Sequence, residues 1–565
     1  MLSEIKSQKP KERRREIVKV LLRNRGVKTE EQIKEFFDPK ISLSRLQSLV
    51  SQKHLALACQ RIKKAIEKKE PIIIFGDYDC DGICGTAILW ETLNNLGADV
   101  RPFIPERTEG YGLSKEGIDD LVNSKQLTVN NSLIITVDNG ITAHEAIDYS
   151  SSLGIDVIVT DHHLPAKRSP KALAILHSTQ LSGAAVAWLL TQALAPSFPP
   201  LVSSFQFLDL VALATIADLV PLLGPSRTLT KIGLEKLNQT QNIGLQALIS
   251  EAGLTLGQIR TYEVGWILGP RLNATGRLTS AMDSLRLLCM KDIYWAKKLA
   301  QKLALLNQKR QKLTNEAFEH AKRVVEKEKL PNLIFISHPS YNEGIVGLVA
   351  SKLVEKFYRP AIVGAEKEDF IKASARSIPS FNIVEAIATG RRLLEDFGGH
   401  PMAAGLTVKK KNFTALRKKI KNFVDHKLRE EDLMPGFKID CEVELSDLDW
   451  KLFERISHFE PFGIGNPRPV FLTTGLRVAG VRMVGNDRKH LKLRLDDIKT
   501  RKIEKAEAEV VLSTSTFDGI GFNLGFWGKE LKEGDVVDLV YNLDKNIWNG
   551  KETLQLKVKD LKKHG

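Results

Sequence analysis

Three short apolar runs in this chain each stop abruptly in acid. Ile72-Ile73-Ile74-Phe75 passes through Gly76 into Asp77-Tyr78-Asp79-Cys80-Asp81-Gly82. Leu133-Ile134-Ile135-Thr136-Val137 runs into Asp138-Asn139-Gly140, and Val157-Ile158-Val159-Thr160 into Asp161-His162-His163. Carboxylates spaced this closely at the end of a buried strand repel one another, and a fold tolerates them when cations are shared among them. Taken singly, each cluster also reads as ordinary turn or helix-cap chemistry. Three clusters at three strand ends argue against coincidence and for a divalent-metal site.

The surrounding pattern says how such ends can meet. Between residues 70 and 220, strands at 71–75, 99–104, 133–137, 156–160 and 173–176 alternate with helices at 85–96, 143–151 and 183–194. This is the βαβ rhythm of a parallel sheet covered on both faces. Ligands of such sheets bind at the carboxyl ends of the strands, where all three acidic clusters fall. Residues 205–282 read as mostly helical. A lysine-, glutamine- and leucine-rich stretch from 281 to about 329, free of Gly and Pro, predicts one long connecting helix ended by Pro331. A second α/β lobe follows, with strands at 333–337, 361–363 and 371–374 and helices at 345–357, 383–397 and 413–428. After Met434-Pro435-Gly436, short alternating strands predict a small β-barrel. The division predicted is a helical N-terminal extension (1–50), an α/β domain (51–280), a connecting helix (281–330), a second α/β domain (331–436) and a barrel (437–565).

With 565 residues the chain is too long for one core. Its 83 basic residues against 68 acidic ones give a net charge of +15. An acidic knot inside a basic protein suits a polyanionic substrate led toward a metal centre. Five scattered cysteines show neither zinc spacing nor a disulfide framework. The basic N-terminus lacks a secretory core and no run is long enough to span a membrane, so a cytoplasmic location away from the membrane is expected.

Acid with imidazole suits manganese or magnesium better than zinc. Two such ions clamp the attacking and leaving oxygens of a phosphodiester, and a shared carboxylate must hold them, for which Asp138 is well placed.

The motifs Asp-Tyr-Asp-Cys-Asp-Gly, Val-Asp-Asn-Gly and Asp-His-His resemble those of the DHH phosphoesterase superfamily. So does Ala214-Thr215-Ile216-Ala217-Asp218-Leu219-Val220-Pro221-Leu222. Within that superfamily, the RecJ family of single-strand-specific exonucleases is resembled by four further segments. These are Gly269-Pro270-Arg271-Leu272-Asn273-Ala274-Thr275-Gly276-Arg277, Ser374-Ala375-Arg376-Ser377, Gly398-Gly399-His400-Pro401-Met402-Ala403-Ala404-Gly405 and Pro461-Phe462-Gly463-Ile464-Gly465-Asn466-Pro467. The last opens an oligonucleotide-binding (OB) barrel, and the resemblance runs from about residue 50 to the end.

The resemblance implies that Asp79, Asp81, Asp138, His162 and Asp218 ligate two divalent ions with Asp138 between them. It implies that His163 contacts the scissile phosphate or serves as an acid, and that Asp77 is a ligand or supports one. Many superfamily relatives carry histidine where this chain has Phe75, so the first ion would lose an imidazole and be held more weakly unless Asp77 substitutes. For the nucleic acid, Arg107 offers a guanidinium that can fork onto a phosphate, with an ion pair to Glu106 or Glu109 as its other reading. Arg271 and Arg277 flank Asn273 in what reads as a glycine-bounded turn. Ser374 and Arg376 would be phosphate contacts by the family match, and His400 lies beside bare Gly398-Gly399 backbone. Tyr111 is a candidate base stacker or a packing residue. Phe462, Phe471, Phe522 and Trp527 read as barrel core or stackers, with none assigned.

The function implied is 5′→3′ exonucleolytic release of 5′-mononucleotides from single-stranded DNA in repair and recombination. The enzyme would be a monomer, with a helicase and a single-strand-binding protein supplying the strand. Two other readings stand beside it: a phosphodiesterase for short oligonucleotides or cyclic dinucleotides, and an inactive DNA-binding scaffold. The barrel and the basicity favour a long polymer, and the full set of acids and histidines disfavours the scaffold.

Overall fold

The computed structural model describes residues 10–198, 205–327, 329–502 and 509–564; the first nine residues of the predicted N-terminal extension and position 328 of the predicted connecting helix lie outside them. The chain divides into two compact units. One takes residues 42–220 and 232–436; the other takes the segments up to residue 41, 221–231 and 437–565.

The larger unit begins with the predicted parallel sheet. Strands β1 (Ile72–Gly76), β2 (Val100–Phe103), β3 (Ser132–Val137), β4 (Ile155–Asp161) and β5 (Ala174–His177) lie in the order β2-β1-β3-β4-β5, all parallel. β1 and β3 are buried along their whole length, which is why their sequences are continuously apolar rather than alternating. The chain reverses direction across the sheet between β1 and β3, the switch point at which such sheets open a crevice. Phe75 is fully buried among apolar neighbours including Phe103.

Helix Cys80–Asn95 starts within the first acidic cluster, five residues earlier than the sequence suggests, because Asp79 caps it: Asp79 Oδ1 accepts from the backbone N–H groups of Asp81 and Gly82 at 2.9 and 3.2 Å. Residues 269–278, expected as a turn, form a helix. Gly269 and Pro270 follow directly on the π-helical segment Val264–Leu268 that leads into this helix. The long helix expected from residue 281 is broken. A short helix, Met282–Leu288, ends before Cys289, and Asp292 caps a new 34-residue helix, Ile293–Glu326, by accepting from Trp295 N. That helix packs on both Gly269–Leu278 and Val346–Phe357.

The second sheet has the order β6 (Ile334–His338), β7 (Ala361–Glu366), β8 (Phe370–Arg376), β10 (Ala403–Lys409), β9 (Leu394–His400). The helix expected over 383–397 stops at Ala388, and Leu394–His400 is the edge strand β9. Pairing with β10 overrides the local preference of that segment.

In the smaller unit, strands β11 (Cys441–Glu442), β12 (Phe471–Val484), β13 (His490–Lys502), β14 (Glu509–Gly521), β15 (Val536–Trp548) and β16 (Lys551–Lys563) form a sheet that β12–β15 pairing closes into a five-stranded barrel. Helices Pro10–Asn24 and Glu30–Phe37 share its core: Ile17, Leu21 and Phe36 cluster with Leu452, Phe459, Phe471 and Tyr541. Arg227 is buried in the same unit, stacked 3.8 Å over Phe36 and donating to the carbonyls of Phe36 and Glu460. Among the described residues no helix is long and apolar enough to cross a membrane.

Candidate metal centre and nucleic-acid interface

The strand ends do converge. Ligand atoms of Asp77, Asp79 and Asp138 lie within 4.8 Å of one another; so do those of Asp81, His162 and Asp218, and those of Asp138, His162 and His163. Asp138 belongs to two of the groups. It follows β3 at φ 63°, a left-handed conformation that side chains rarely adopt, held by its N–H donating to Thr160 O at 3.0 Å. Gly183 is required beside it, since a Cβ there would lie 2.7 Å from Asp138 Cβ. Gly82 is required for the same reason, as its Cβ would meet Asp77 O at 2.5 Å.

His162 Nε2 is 3.1 Å from Asp138 Oδ1, 3.4 Å from Asp218 Oδ2 and 3.6 Å from Asp81 Oδ2. Asp81 is held by the N-terminus of helix Gly183–Leu194: its carboxylate accepts from Gly183 N and Ala184 N, both at 2.7 Å. Asp218 caps the C-terminal end of helix Leu208–Ala217. Burial and then neighbouring carboxylates push Asp77 and Asp218 far above the usual carboxylate range, with Asp138 raised by burial and then Asp81. Burial lowers His162. Asp77 Oδ1, Asp138 Oδ1 and His162 Nε2 are buried and have no hydrogen-bond partner. Unpaired buried acceptors of this kind are costly, and an all-carboxylate and imidazole donor set fits hard divalent cations such as manganese or magnesium.

His163 sits at the edge of this knot, its Nδ1 3.7 Å from Asp138 Oδ1, and is oriented by Asp161. Asp161 Oδ1 lies 2.9 Å from His163 Nδ1 and also accepts the N–H groups of His162 and His163, while its Oδ2 accepts from Ile141 N. Burial disfavours charge on His163, but the Asp161 hydrogen bond and charge outweigh it and raise the imidazole. Asp161 is correspondingly held below the usual range, its own burial outweighed by His163 and backbone donors. Asp161 was visible in the sequence only as part of a motif; its adjacency to His163 was the signal for a positioning role. Tyr111 lies beside them, half exposed, its hydroxyl donating to Asp138 O at 2.8 Å and 3.2 Å from His163 Nε2.

A cluster of arginines borders the carboxylates. Arg107 stacks 4.0 Å over the Tyr78 ring and donates to Gly276 O; among the described residues it pairs with no carboxylate. Arg277 donates to Gly344 O, and burial, then the charges of Arg107, Arg310 and Arg376, push its pKa down to about 10. Arg310, on helix Ile293–Glu326, escaped the sequence reading because a lone arginine on a long basic helix has no local signature. Its guanidinium is aimed by Asn307 Oδ1. Arg376 and Ser374 on β8 face the first turn of helix Val346–Phe357: a Cβ on Gly347 would lie 3.0 Å from the Arg376 guanidinium and 3.4 Å from Ser374 Oγ. Asn273 points the other way, its Oδ1 accepting from Cys80 N at 2.6 Å and so steadying the first acidic cluster. Among the described residues no contact brings Arg271 into the cluster; it donates to Ile267 O in the preceding turn. His400 is exposed and sits in register with Ala403, which pairs with Arg376 on the other side. In the barrel Phe471 is core, Phe462 and Trp527 are partly buried, and Phe522 is half exposed.

This sheet, with acids and imidazoles gathered at its switch point and a second lobe presenting arginine, defines a DHH-type phosphoesterase. Family models match accordingly: the DHH family N-terminal domain over residues 71–215, the DHHA1 domain over 330–426 and the RecJ OB domain over 439–560. The chain belongs to the RecJ family. It is 36% identical over 565 residues to the single-stranded-DNA-specific exonuclease RecJ of Bacillus subtilis, covering 96% of this chain and 67% of that protein. It is 32% identical over 542 residues to RecJ of Escherichia coli, covering 89% of each. The crystal structure of Thermus thermophilus RecJ in complex with Mn2+ superposes with a TM-score of 0.79 at 29% identity, over 97% of this chain and 76% of that one.

Proposed function

We propose that this protein is a metal-dependent exonuclease that removes 5′-mononucleotides from single-stranded DNA, working 5′→3′ in repair and recombination. One observation carries the reading: three overlapping groups of acid and imidazole ligand atoms, each group within 4.8 Å, containing buried atoms without hydrogen-bond partners and bordered by an arginine cluster. Asp77, Asp79, Asp81, Asp138, His162 and Asp218 would hold two divalent cations, with Asp138 shared. The ions, when bound, supply charge neutralisation and Lewis-acid stabilisation of the phosphoryl oxygens.

The protein's own groups do the rest. Arg107, Arg277 and Arg376, with Ser374 Oγ and the first turn of helix Val346–Phe357, would hold a phosphate of the strand. Their mutual repulsion is relieved when that anion arrives. His163, kept protonated longer by Asp161, would donate a proton to the departing oxygen. Tyr111 fixes the imidazole edge and leaves its ring face for the terminal base. Asn273 would act by position, through Cys80, and Arg271 and His400 would lie further along the strand. Four coupled arginines favour a polymer of phosphates over a neutral or mononucleotide ligand. The five-part division at residues 50, 280, 330 and 436, a cytoplasmic location suited to five free thiols, a monomeric state and a helicase or single-strand-binding protein as supplier belong to the same reading.

The test is digestion of strands labelled at either end, with manganese added to metal-free protein. Stepwise loss from the 5′ end, absent in duplex and in Asp138→Ala protein of unchanged fold, is the expected result. Internal cleavage, or preference for dinucleotides over a long strand in competition, would overturn it.

A further inference from the structure

Two aromatic rings stand in solvent on one helical face that the chemistry above does not use. Trp266 is 73% exposed and Tyr262 62% exposed, with ring planes 28° apart and centroids 6.4 Å apart. Burying a tryptophan is strongly favourable, so leaving both rings in water requires a reason. The backbone here is also unusual. Val264–Leu268 is a π-helical segment running directly into helix Gly269–Leu278; such segments are rare and concentrate at functional sites.

The face is continuous with the metal centre. Gly265 and Gly269 bring the π segment against the end of helix Leu208–Ala217: a Cβ on Gly269 would lie 3.1 Å from Ala217 Cβ, one residue before Asp218. Leu219, the next residue, is itself 64% exposed with a φ of 60°, placing another bare apolar side chain on that rim. In the other direction the same helix delivers Asn273 to Cys80. Seven residues separate Trp266 from Asn273, about 10 Å at helical rise, a separation of a few nucleotides.

We infer that Tyr262 and Trp266 form a base-stacking platform that grips the single strand a few nucleotides from the scissile bond, on the Asp218 side of the site. The inference rests on the proposed exonuclease reading and deepens it. Aromatic faces accept any base, so the platform is sequence-tolerant. A duplex keeps its bases stacked inside and has none to offer, so the platform adds single-strand selectivity at a point separate from the arginines.

The experiment measures dissociation constants of full-length protein, carrying Asp138→Asn to prevent turnover, for oligothymidylates of 2 to 20 nucleotides with manganese present. Affinity should step upward once the oligomer reaches the platform. Trp266→Ala and Tyr262→Ala should each remove that step, weakening the 20-mer by about five- to a hundredfold while affecting the dinucleotide far less. Trp266→Phe should restore affinity yet lose the DNA-induced quenching of indole fluorescence. Alanine variants that bind the 20-mer as tightly as the parent, or that weaken 2-mer and 20-mer alike, would overturn the platform. Failure of the exonuclease reading shows separately, as absence of manganese-dependent nucleotide release by the unsubstituted protein.

Discussion

His162 Nε2 and Asp138 Oδ1 lie 3.1 Å apart, both buried, and neither makes a hydrogen bond. Two buried atoms of this chemistry at this separation suit a shared divalent cation. Binding of such a cation should stabilise the protein by mass action. Manganese added to chelator-treated protein is expected to raise the melting temperature in a concentration-dependent way, and Asp138→Ala should abolish the shift. Calorimetric or fluorescence melts across a metal titration check this.

Removing one charge should stabilise the metal-free protein. The Asp138 carboxyl is raised far above the roughly 3.9 of an unfolded chain, first by burial and then by Asp81. Its contribution to stability is therefore full below about pH 4 and is lost as pH rises toward the folded value. Asparagine has no such loss. In chelator, Asp138→Asn should melt above the parent at pH 8, with the gap narrowing toward pH 5. A gap that widens on acidification would contradict the sign.

Asp161→Asn should separate proton transfer from metal binding. It keeps the shape of the group that holds His163 but removes the charge that raises the imidazole. Activity should fall about 10²-fold, with the limb of the pH–rate profile due to His163 moved to lower pH. Manganese affinity by calorimetry should change little.

Arg376→Ala should weaken binding of single-stranded DNA and lower the slope of log affinity against log salt by about 0.7, the value for one phosphate contact on a single strand. Binding isotherms at several salt concentrations decide it, and an unchanged slope would remove Arg376 from the DNA path.

In the smaller unit, Arg13 donates to Asp447 Oδ2 at 2.7 Å with both side chains almost buried. Burial already raises Asp447. Arg13→Ala would remove that carboxylate's charge partner while the Glu444 N–H still donates to it, and should cost about 3–5 kcal/mol, measured as a lower denaturation midpoint of the full chain.

Much of this was legible before the fold was known because a parallel sheet gathers residues by strand end, not by distance along the chain. Asp81, Asp138 and His162 each follow an apolar run, and register does the rest. What stayed hidden depends on pairing or on single side chains. Residues 394–400 contain two glycines and three charges or imidazoles, and only β10 makes them a strand. Residues 269–278 carry Gly269, Pro270 and Gly276, which read as a turn until packing against helix Ile293–Glu326 fixes them. Arg310 and Asp161 act by where their helix and strand place them, which local composition does not record.

The barrel unit is assembled from three stretches of chain, and its core draws Ile17, Leu21 and Phe36 to residues more than four hundred positions later. During synthesis those early helices must wait, apolar faces bare, until the ribosome has made the final quarter of the polypeptide. A prematurely terminated product would thus advertise its own incompleteness to chaperones and proteases, however sound its phosphoesterase portion.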